Sequence, residues 1–392
     1  MKYNIVCNEK LGLLGFGLMR LPLTENGEID QVRFEEMIEY ALNNGINYFD
    51  TAYPYHNGTS EIAAGKALAR YPRDSFYLAT KYPGHQIVST VYDPEEIFEE
   101  QLKKCQVDYF DFYLMHNVND KSIEIYLDER WGIVDYFIEQ KKRGRIKHLG
   151  FSTHAELKNI EKFLDVYGQE MEFCQIQLNY LDWTLQQAKE KYEFLTARNI
   201  PVWVMEPVRG GRLATLNEEN EKKLRLLKPD RSIASWGFEF LKTLDNVKMV
   251  LSGMSNIDQM RDNVSTFSDE NIISEDEVKF LLEMAETLKK GVPCTRCEYC
   301  LEGCPMNLEI PALINIYNDL KVYPSSNIAM KIEFMAEEKK PQNCIGCGSC
   351  SNICPQNIDI PGCLRELTEI MEKLPSWKQI CLEREEAAKK AQ

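Results

Sequence analysis

The sequence predicts an α/β protein in two parts: a (β/α)8 TIM barrel over residues 1–290 and a mainly α-helical, cysteine-rich domain over residues 291–392. Two observations predict this organisation. Short apolar runs alternate eight times with amphipathic segments between Leu11 and Ser268, which is the size and rhythm of such a barrel. After Gly291 the alternation stops, and eight of the thirteen cysteines follow in two tight runs. We therefore expect the domain boundary near Gly291.

The predicted strands are short and rich in β-branched or aromatic residues. In chain order they are Gly12–Gly17, Ile46–Asp50, Phe76–Lys81, Phe110–His116, Ile146–Phe151, Phe173–Leu178, Pro201–Met205 and Val247–Leu251. Helices are predicted between them, for example Asp30–Asn44 before Gly45, and Pro94–Lys104 after the N-cap Asp93. The alternative is a doubly wound open sheet, which requires a phosphate-binding glycine turn after the first strand. The glycines of the first strand lack that spacing and lead into no helix, so the barrel is favoured.

The acidic composition narrows the range of partners. A formal net charge of -15 and a pI of about 5.0 disfavour nucleic acid and anionic membranes. No apolar run approaches the roughly 20 residues that span a bilayer, and Met1–Lys10 lacks the features of a signal peptide. We therefore expect a cytoplasmic protein without a disulfide framework. Five scattered cysteines are interpreted as ordinary core residues or surface thiols: Cys7, Cys105, Cys174, Cys363 and Cys381.

Two cysteine runs near the C-terminus share one spacing. In each, two residues separate three successive cysteines, and a fourth cysteine follows after three more residues, directly before a proline. The runs are Cys294, Cys297, Cys300 and Cys304, and Cys344, Cys347, Cys350 and Cys354. A similar phrase follows each run, beginning at Asn307 and at Asn357, which indicates an internal duplication. This spacing is typical of two 4Fe-4S clusters, in which the fourth cysteine of each run ligates the other cluster.

That rule predicts two ligand sets: Cys294, Cys297, Cys300 and Cys354 for one cluster, and Cys344, Cys347, Cys350 and Cys304 for the other. Two structural zinc sites are the alternative, but they need neither the third closely spaced cysteine nor the terminal Cys-Pro. The runs resemble the dicluster ferredoxin modules of anaerobic redox enzymes. The insert between them is longer than in small bacterial ferredoxins, and helices are predicted at Ile310–Tyr323 and Asn327–Lys340. We therefore expect a helical, ferredoxin-like 4Fe-4S domain, and an electron-transfer protein remains open as a partner.

Three consecutive predicted strands end in residues whose side chains are candidates for catalysis. Asp50 ends the second strand, Lys81 the third and His116 the fourth, while Tyr55 lies in the loop after Asp50. Functional residues of a barrel gather at the C-terminal ends of its strands. Each residue alone also has an ordinary interpretation, such as an N-cap, a solvated strand end or a buried histidine. Together they fit reversible carbonyl reduction, since a lysine ammonium can lower the pKa of a proton-donating tyrosine and a histidine can polarise the carbonyl oxygen.

The segments around these residues resemble the aldo-keto reductase family. The similarity covers roughly Leu11–Asn263 and includes the phrases Gly45–Tyr55, Ala79–Lys81 and Tyr113–His116. It implies that Tyr55 is the general acid, Lys81 its activator, Asp50 the partner of Lys81, and His116 the group that orients a small carbonyl or alcohol substrate. The phrases Met19–Pro22 and Met205–Gly211 resemble the subgroup that carries a C-terminal dicluster 4Fe-4S ferredoxin module.

The same resemblance implies a bound nicotinamide, either NADP or NAD. Ser152 and Gln175 match the pair that holds the nicotinamide amide, and Met205 stands where a stacking tyrosine is usual. Gln259 aligns with the arginine commonly placed on the 2′-phosphate, which weakens the case for NADP preference, although Arg261 is close in sequence. The residues implied to contact the cofactor are Met19, Arg20, Ser152, Gln175, Met205, Pro207, Gly210, Ser255, Gln259 and Asn263.

How the two parts cooperate is open from the sequence. A nicotinamide delivers two electrons as hydride, whereas each cluster carries one, and no motif supports the flavin that would convert between them. The barrel can be a self-sufficient reductase with structural clusters, or the clusters can relay electrons to an external partner. A third alternative is a redox sensor or electron-transfer subunit whose barrel only binds nicotinamide. The complete set of four barrel residues favours an oxidoreductase enzyme.

Overall fold

A computed structural model of the chain describes residues 1–84, 93–120, 122–211, 213–216, 218–288, 291–292, 294, 299–322, 325–354, 358–376, 379–380 and 382–383. The chain divides into two compact units, Met1–Leu282 and Glu283–Gln392. We refer to them as the barrel unit and the cysteine-rich unit. The domain boundary expected near Gly291 stays a prediction.

An antiparallel hairpin begins the chain and was not predicted. It pairs β1 (Tyr3–Val6) with β2 (Glu9–Gly12) through a two-residue turn. Both turn residues, Cys7 and Asn8, have positive φ angles of 53° and 63°, as the primed turns of tight hairpins require. The predicted first strand therefore divides at Leu13 into the end of the hairpin and the start of the first barrel strand.

Eight parallel strands form the centre of the barrel unit. They are β3 (Leu14–Gly17), β4 (Tyr48–Asp50), β5 (Tyr77–Tyr82), β6 (Phe110–Val118), β7 (Ile146–Thr153), β8 (Phe173–Gln177), β9 (Val202–Met205) and β10 (Val247–Ser252). The sheet closes on itself in the order β10-β3-β4-β5-β6-β7-β8-β9. Most of the strand residues are buried, as expected for a parallel sheet covered by helices. The predicted (β/α)8 barrel is confirmed.

Helices follow the barrel strands and cover the sheet. Those of the barrel unit are α1 (Gln31–Asn43), α2 (Ser60–Leu68), α3 (Pro94–Cys105), α4 (Ile123–Leu127), α5 (Ile133–Lys142), α6 (Leu157–Tyr167), α7 (Asp182–Leu185), α8 (Ala188–Ala197), α9 (Glu218–Leu227), α10 (Ile233–Lys242) and α11 (Ile257–Ser268). Asp30 caps α1 by accepting from the backbone N–H of Arg33, and Asp93 caps α3, whose first residue is Pro94. A further helix, α12 (Glu275–Leu288), spans the junction of the two units.

The inside of the barrel is filled by side chains. Phe173 and Trp203 lie with ring centroids 4.6 Å apart, and Tyr48 and Phe112 lie 5.1 Å apart. All four residues are fully buried. This aromatic cluster fills the interior and leaves the strand ends to the polar residues of the candidate site.

The cysteine-rich unit is mainly helical. Its described helices are α13 (Tyr299–Glu302), α14 (Ile310–Val322), α15 (Ser326–Glu333), α16 (Ser349–Asn352) and α17 (Ile360–Glu372). The prediction of a helix over Asn327–Lys340 was wrong beyond Glu333, where α15 ends. Lys340 precedes Pro341 and is extended (φ -73°, ψ 153°), because a proline disfavours helical geometry in the preceding residue. Among the described residues, no helix is long and apolar enough to cross a membrane.

Candidate active site and cluster cavity

Four residues from three neighbouring strands and one loop form the candidate active site. Asp50 is the last residue of β4, Lys81 is next to last in β5, and His116 lies near the end of β6. Tyr55 begins a short 3-10 turn, Tyr55–Gly58, that follows β4. Because parallel strands end at the same rim of a barrel, the four side chains lie at that rim.

Lys81 is the centre of this group. Its Nζ lies 2.5 Å from Asp50 Oδ1 and donates to the carbonyl oxygen of Thr51 at 2.6 Å. The Lys81 side chain has no solvent exposure and that of Asp50 almost none. Burial alone would lower the pKa of Lys81, but contacts with Asp50 and Tyr55 outweigh it and raise that pKa above its usual value. Lys81 therefore stays an ammonium ion.

Tyr55 lies against this ammonium and against His116. Lys81 Nζ is 5.0 Å from the Tyr55 ring centroid, and the rings of Tyr55 and His116 meet edge to face with centroids 6.0 Å apart. Burial of the Tyr55 hydroxyl raises its pKa, although the charge and hydrogen bond of Lys81 act to lower it. Lys81 therefore acts on the pKa of Tyr55 in the expected direction, but the net direction is upward. Desolvation outweighs the nearby charge.

A buried polar network supports the strand that carries Lys81, and no sequence pattern pointed to it. Glu61 of α2 accepts from Thr80 at 2.6 Å and from Gln101 of α3 at 2.7 Å. Gln101 also donates to the carbonyl oxygen of Lys81 at 3.0 Å and accepts from the Tyr113 hydroxyl at 2.5 Å. Glu61 and Gln101 are fully buried. The network fixes the backbone of β5 directly behind the reactive rim.

Two residues implied to hold the nicotinamide amide lie on adjacent strands. Ser152 and Gln175 are register partners on β7 and β8. The Ser152 hydroxyl accepts from the backbone N–H of Asn117 at 2.8 Å. The amide of Gln175 donates to the Met205 sulfur at 3.6 Å, while its buried oxygen has no hydrogen-bond partner among the described residues. A buried amide oxygen without a protein donor fits a site for a carboxamide N–H.

The loop after β9 has an unusual backbone held by buried polar groups. Glu206, Arg209 and Gly210 all have positive φ, between 50° and 64°. Buried Asp182 lies 3.2 Å from Arg209 Nε and accepts from Asn179 at 2.7 Å. Asn179 also donates to the carbonyl oxygen of Glu206 at 3.0 Å. Sequence reasoning found Pro207, which is buried here, and Gly210, but missed the ion pair that holds the loop.

Arg20 lies between two glycine segments of this rim. A side chain at Gly210 would meet the Arg20 guanidinium at 3.0 Å, and one at Gly253 would meet the Arg20 methylenes at 3.3–3.4 Å. Both glycines therefore let Arg20 approach their backbones closely. Arg20 and its neighbour Met19 are exposed.

The segment after β10 is organised by its own side chains. Gln259 accepts from the backbone N–H of Ser255 at 2.8 Å, and Asn263 donates to the Ser252 hydroxyl at 2.9 Å. Arg261 is exposed and pairs with Asp258 at 3.1 Å. Gln259 carries no charge, and the exposed Arg261 guanidinium contacts a carboxylate.

In the cysteine-rich unit, four cysteines line one small pocket. They are Cys304, Cys344, Cys347 and Cys350. Cys304 comes from the first run and the others come from the second, as the spacing rule predicts for one cluster. Four cysteines lining one pocket with small and apolar neighbours such as Gly346 and Leu308 fit a 4Fe-4S cluster.

The cysteines predicted for the other cluster are described only in part. Cys300 is buried in the hydrophobic core of the cysteine-rich unit, and Cys294 and Cys354 pack against that core. Cys297 lies outside the described residues. The assignment of this ligand set stays a prediction.

Comparison with known proteins agrees with both parts of the chain. The Aldo/keto reductase family matches residues 13–285, and the 4Fe-4S dicluster domain matches residues 293–358. The NADH-specific methylglyoxal reductase of Escherichia coli is 25% identical over 308 residues, covering 68% of this chain and 91% of that protein. A probable aldo-keto reductase of Glycine max is 33% identical over 146 residues, but the match spans only 36% of this chain and 40% of the soybean protein.

A solved structure shows the same architecture for the barrel unit. The holo form of an aldo-keto reductase from Bacillus halodurans superposes with a TM-score of 0.56 and 25% identity, covering 72% of this chain and 96% of that one. The family match extends over well more than half of the sequence. The chain therefore belongs to the aldo/keto reductase family of NAD(P)-dependent oxidoreductases, and it carries a 4Fe-4S dicluster domain after its barrel.

Proposed function

We propose that the barrel unit reduces a small aldehyde or ketone, with Tyr55 donating the proton to the carbonyl oxygen. One observation carries this proposal: the buried Lys81 ammonium is held between Asp50 and Tyr55 at the strand rim. A bound nicotinamide supplies the hydride. His116, whose ring meets that of Tyr55, orients and polarises the same carbonyl oxygen.

The raised pKa of Tyr55 bears on which direction of the reaction is favoured. A tyrosine with a raised pKa keeps its proton at neutral pH, so the Tyr55 hydroxyl holds the proton that carbonyl reduction consumes. Alcohol oxidation needs the phenolate instead, which Lys81 favours but burial disfavours. We therefore propose that reduction is the preferred direction near neutral pH and that oxidation gains rate as the pH rises.

NADH is proposed as the preferred cofactor. Gln259 is uncharged where a cation would meet the 2′-phosphate of NADPH, and it accepts from the backbone of Ser255. Arg261 is paired with Asp258, whose carboxylate would repel a phosphate. The E. coli relative is named as NADH-specific and as a methylglyoxal reductase, so methylglyoxal is the first substrate to assay.

The cysteine-rich unit is proposed to bind two 4Fe-4S clusters with one cysteine exchanged between the runs. The cavity lined by Cys304, Cys344, Cys347 and Cys350 supports this for one cluster. Anaerobic iron and sulfide assays should then give about eight irons per chain. An EPR signal that changes when NADH is added would mean that the clusters exchange electrons with the barrel. An unchanged signal would mean a structural role or another electron donor.

The proposed reaction is tested with Tyr55→Phe. Loss of the proton donor should lower the rate of NADH-dependent methylglyoxal reduction by about 100-fold to 10,000-fold. NADH binding, followed by fluorescence titration, should change little. Tyr53→Phe is a matched control, because Tyr53 lies in the same loop and its hydroxyl donates to Glu100. Retained turnover in Tyr55→Phe would rule out the assigned acid, whereas a wild type that reduces no carbonyl would favour the sensor or electron-transfer alternative.

A further inference from the structure

A second polar cluster lies at the opposite end of the barrel from the candidate active site. It joins the hairpin turn at Cys7 to His148, near the start of β7, and to Glu172, just before β8. The Cys7 sulfur, a ring nitrogen of His148 and a carboxylate oxygen of Glu172 all lie within 4.8 Å of one another. The reaction proposed at the far rim uses none of these groups, so they are open to another role.

The surroundings fix the direction of the imidazole. His148 Nδ1 lies 2.9 Å from Glu172 Oε2, and its Nε2 lies 3.6 Å from Glu9 Oε1. The His148 ring packs on Phe112, with centroids 4.9 Å apart. Glu9 is held in turn by the Tyr77 hydroxyl at 3.0 Å. The imidazole is therefore oriented on both edges and on one face.

Glu172 divides its two oxygens between different partners. Its Oε1 contacts Lys141 Nζ at 2.7 Å and accepts from the backbone N–H of Leu149 at 3.2 Å. Its Oε2 points to His148. One oxygen is thus fixed by contacts with a cation and the backbone, and the other is directed into the cluster.

The position of Cys7 is unusual for a residue that only forms a turn. It is the first turn residue, with φ 53°, a conformation that costs a cysteine about 1 kcal/mol and that asparagine or glycine adopts more easily. A turn selected only for its backbone would carry one of those residues. A cysteine at this strained position puts a thiol next to an imidazole and a carboxylate, although another residue type would be more stable there.

We propose that Cys7, His148 and Glu172 bind a divalent zinc ion. The ion links the N-terminal hairpin to the N-terminal ends of β7 and β8. Cysteine sulfur, imidazole nitrogen and carboxylate oxygen are each zinc ligands, and three of them leave the fourth tetrahedral position to water. In this assignment His148 binds through Nδ1, and its Nε2–H is directed to Glu9, the carboxylate partner typical of metal-bound histidines.

Geometry and charge both fit this ion. Ligand atoms of tetrahedral zinc lie roughly 3.5 Å apart, so groups that now lie within 4.8 Å of one another need to close only slightly. A thiolate of Cys7 and the carboxylate of Glu172 neutralise the dication. Outside these ligands, Lys141 contacts Glu172 and Glu9 lies beside His148, so their opposite charges add no net charge. Because the N-terminal ends of barrel strands serve stability rather than catalysis, we assign the ion a structural role.

The test measures zinc in the cluster-loaded, full-length protein. Cys7→Asn removes the sulfur and places a residue that favours positive φ at the turn, so it should fold. After buffer exchange with zinc present, metal analysis should find one zinc fewer per chain in Cys7→Asn than in the wild type. Cys105→Ala, which alters a buried free cysteine on α3, should keep the wild-type zinc content. Equal iron in all three proteins would show that vacant cluster cysteines are not the source of the difference.

Thermal unfolding gives the second readout. Added Zn²⁺ should raise the melting temperature of the wild type and of Cys105→Ala by several degrees, and that of Cys7→Asn much less. Glu172→Gln should behave like Cys7→Asn. The proposal is overturned if the wild type takes up no zinc, or if Cys7→Asn keeps the same zinc content and the same thermal response.

Discussion

The two units differ in what surrounds their reactive groups. In the barrel unit, the Lys81 ammonium is satisfied by protein groups, namely Asp50 and the carbonyl oxygen of Thr51. In the cysteine-rich unit, four cysteines line one pocket. The core of that unit also contains cysteines, since Cys300 and Cys350 are 8% and 6% exposed among its apolar residues. The charge at the centre of the first site is balanced by protein atoms, whereas the cysteines of the second are proposed to be held together by inorganic atoms.

This difference has a consequence for stability. A barrel closed by eight strands over an aromatic core holds its rim residues in place without a ligand. A small helical unit has less surface to bury, and metal binding then contributes directly to its folding. We therefore expect the two units to respond differently to loss of iron and to loss of a single charge.

Removal of iron should have the largest effect. Anaerobic chelation should unfold much of the cysteine-rich unit, since its core would lose the cluster atoms proposed to bind Cys300 and Cys350. Limited proteolysis should then cut C-terminal to Leu282 while a barrel fragment persists. Far-UV circular dichroism should show partial helix loss. An apo-protein as resistant to protease as the holoprotein would contradict the idea that clusters stabilise this unit.

Substitution of Lys81 should have the next largest effect, confined to the barrel unit. Lys81→Met leaves the buried Asp50 carboxylate without its partner, which costs about 3–5 kcal/mol of unfolding free energy. It also removes the charge that favours ionisation of Tyr55, so methylglyoxal reduction should fall by at least about 100-fold. Denaturant titration and steady-state assays measure the two effects.

A matched lysine separates burial from charge. Lys147 on β7 also pairs with a carboxylate, Asp111 at 2.9 Å, but its side chain is 40% exposed. Lys147→Met should cost less than about 1 kcal/mol and leave turnover intact. Equal losses in Lys81→Met and Lys147→Met would show that the burial of the rim pair is not what matters.

The third prediction concerns the pH dependence of barrel stability. Burial raises the pKa of Glu61, although Thr80 and Gln101 donate to it. The folded state therefore holds a proton that the unfolded state releases, and stability is lost as the pH rises from the unfolded pKa of Glu61 through its folded pKa. Glu61→Gln removes this loss, so the melting temperature of the variant should rise relative to that of the wild type as the pH increases above the unfolded pKa of Glu61. Parallel curves for the two proteins would mean that Glu61 is ionised in the fold.

The parts of the molecule that the sequence could predict are those with local signals. Each barrel strand is a short apolar run, and Asp50, Lys81 and His116 are polar residues at the ends of such runs. The cysteine runs carry their chemistry in their spacing. The barrel, the family and the cluster domain were all accessible from such patterns.

The features that sequence reasoning missed depend on burial or on an uncommon turn. In α2 the charged Glu61 is fully buried, while the neighbouring Ile62 is 37% exposed, which reverses what hydrophobic patterning suggests. The N-terminal hairpin was missed because Cys7 and Asn8 are not a common turn pair. The direction of the Tyr55 pKa also required the fold, since desolvation outweighs the effect of the adjacent lysine.

The smallest expected effect tests the cofactor preference at the barrel rim. Gln259 is exposed and lies in the first turn of α11, so Gln259→Arg places a cation at the surface where a 2′-phosphate would lie. An exposed ion pair contributes at most about 1 kcal/mol, so kcat/KM for NADPH relative to NADH should rise up to about fivefold and less at high salt. Gln259→Ala, which loses only the hydrogen bond from Ser255, controls for the altered turn. A wild type that already prefers NADPH would instead show that a cation elsewhere on the rim, with Arg20 as the first to substitute, holds the phosphate.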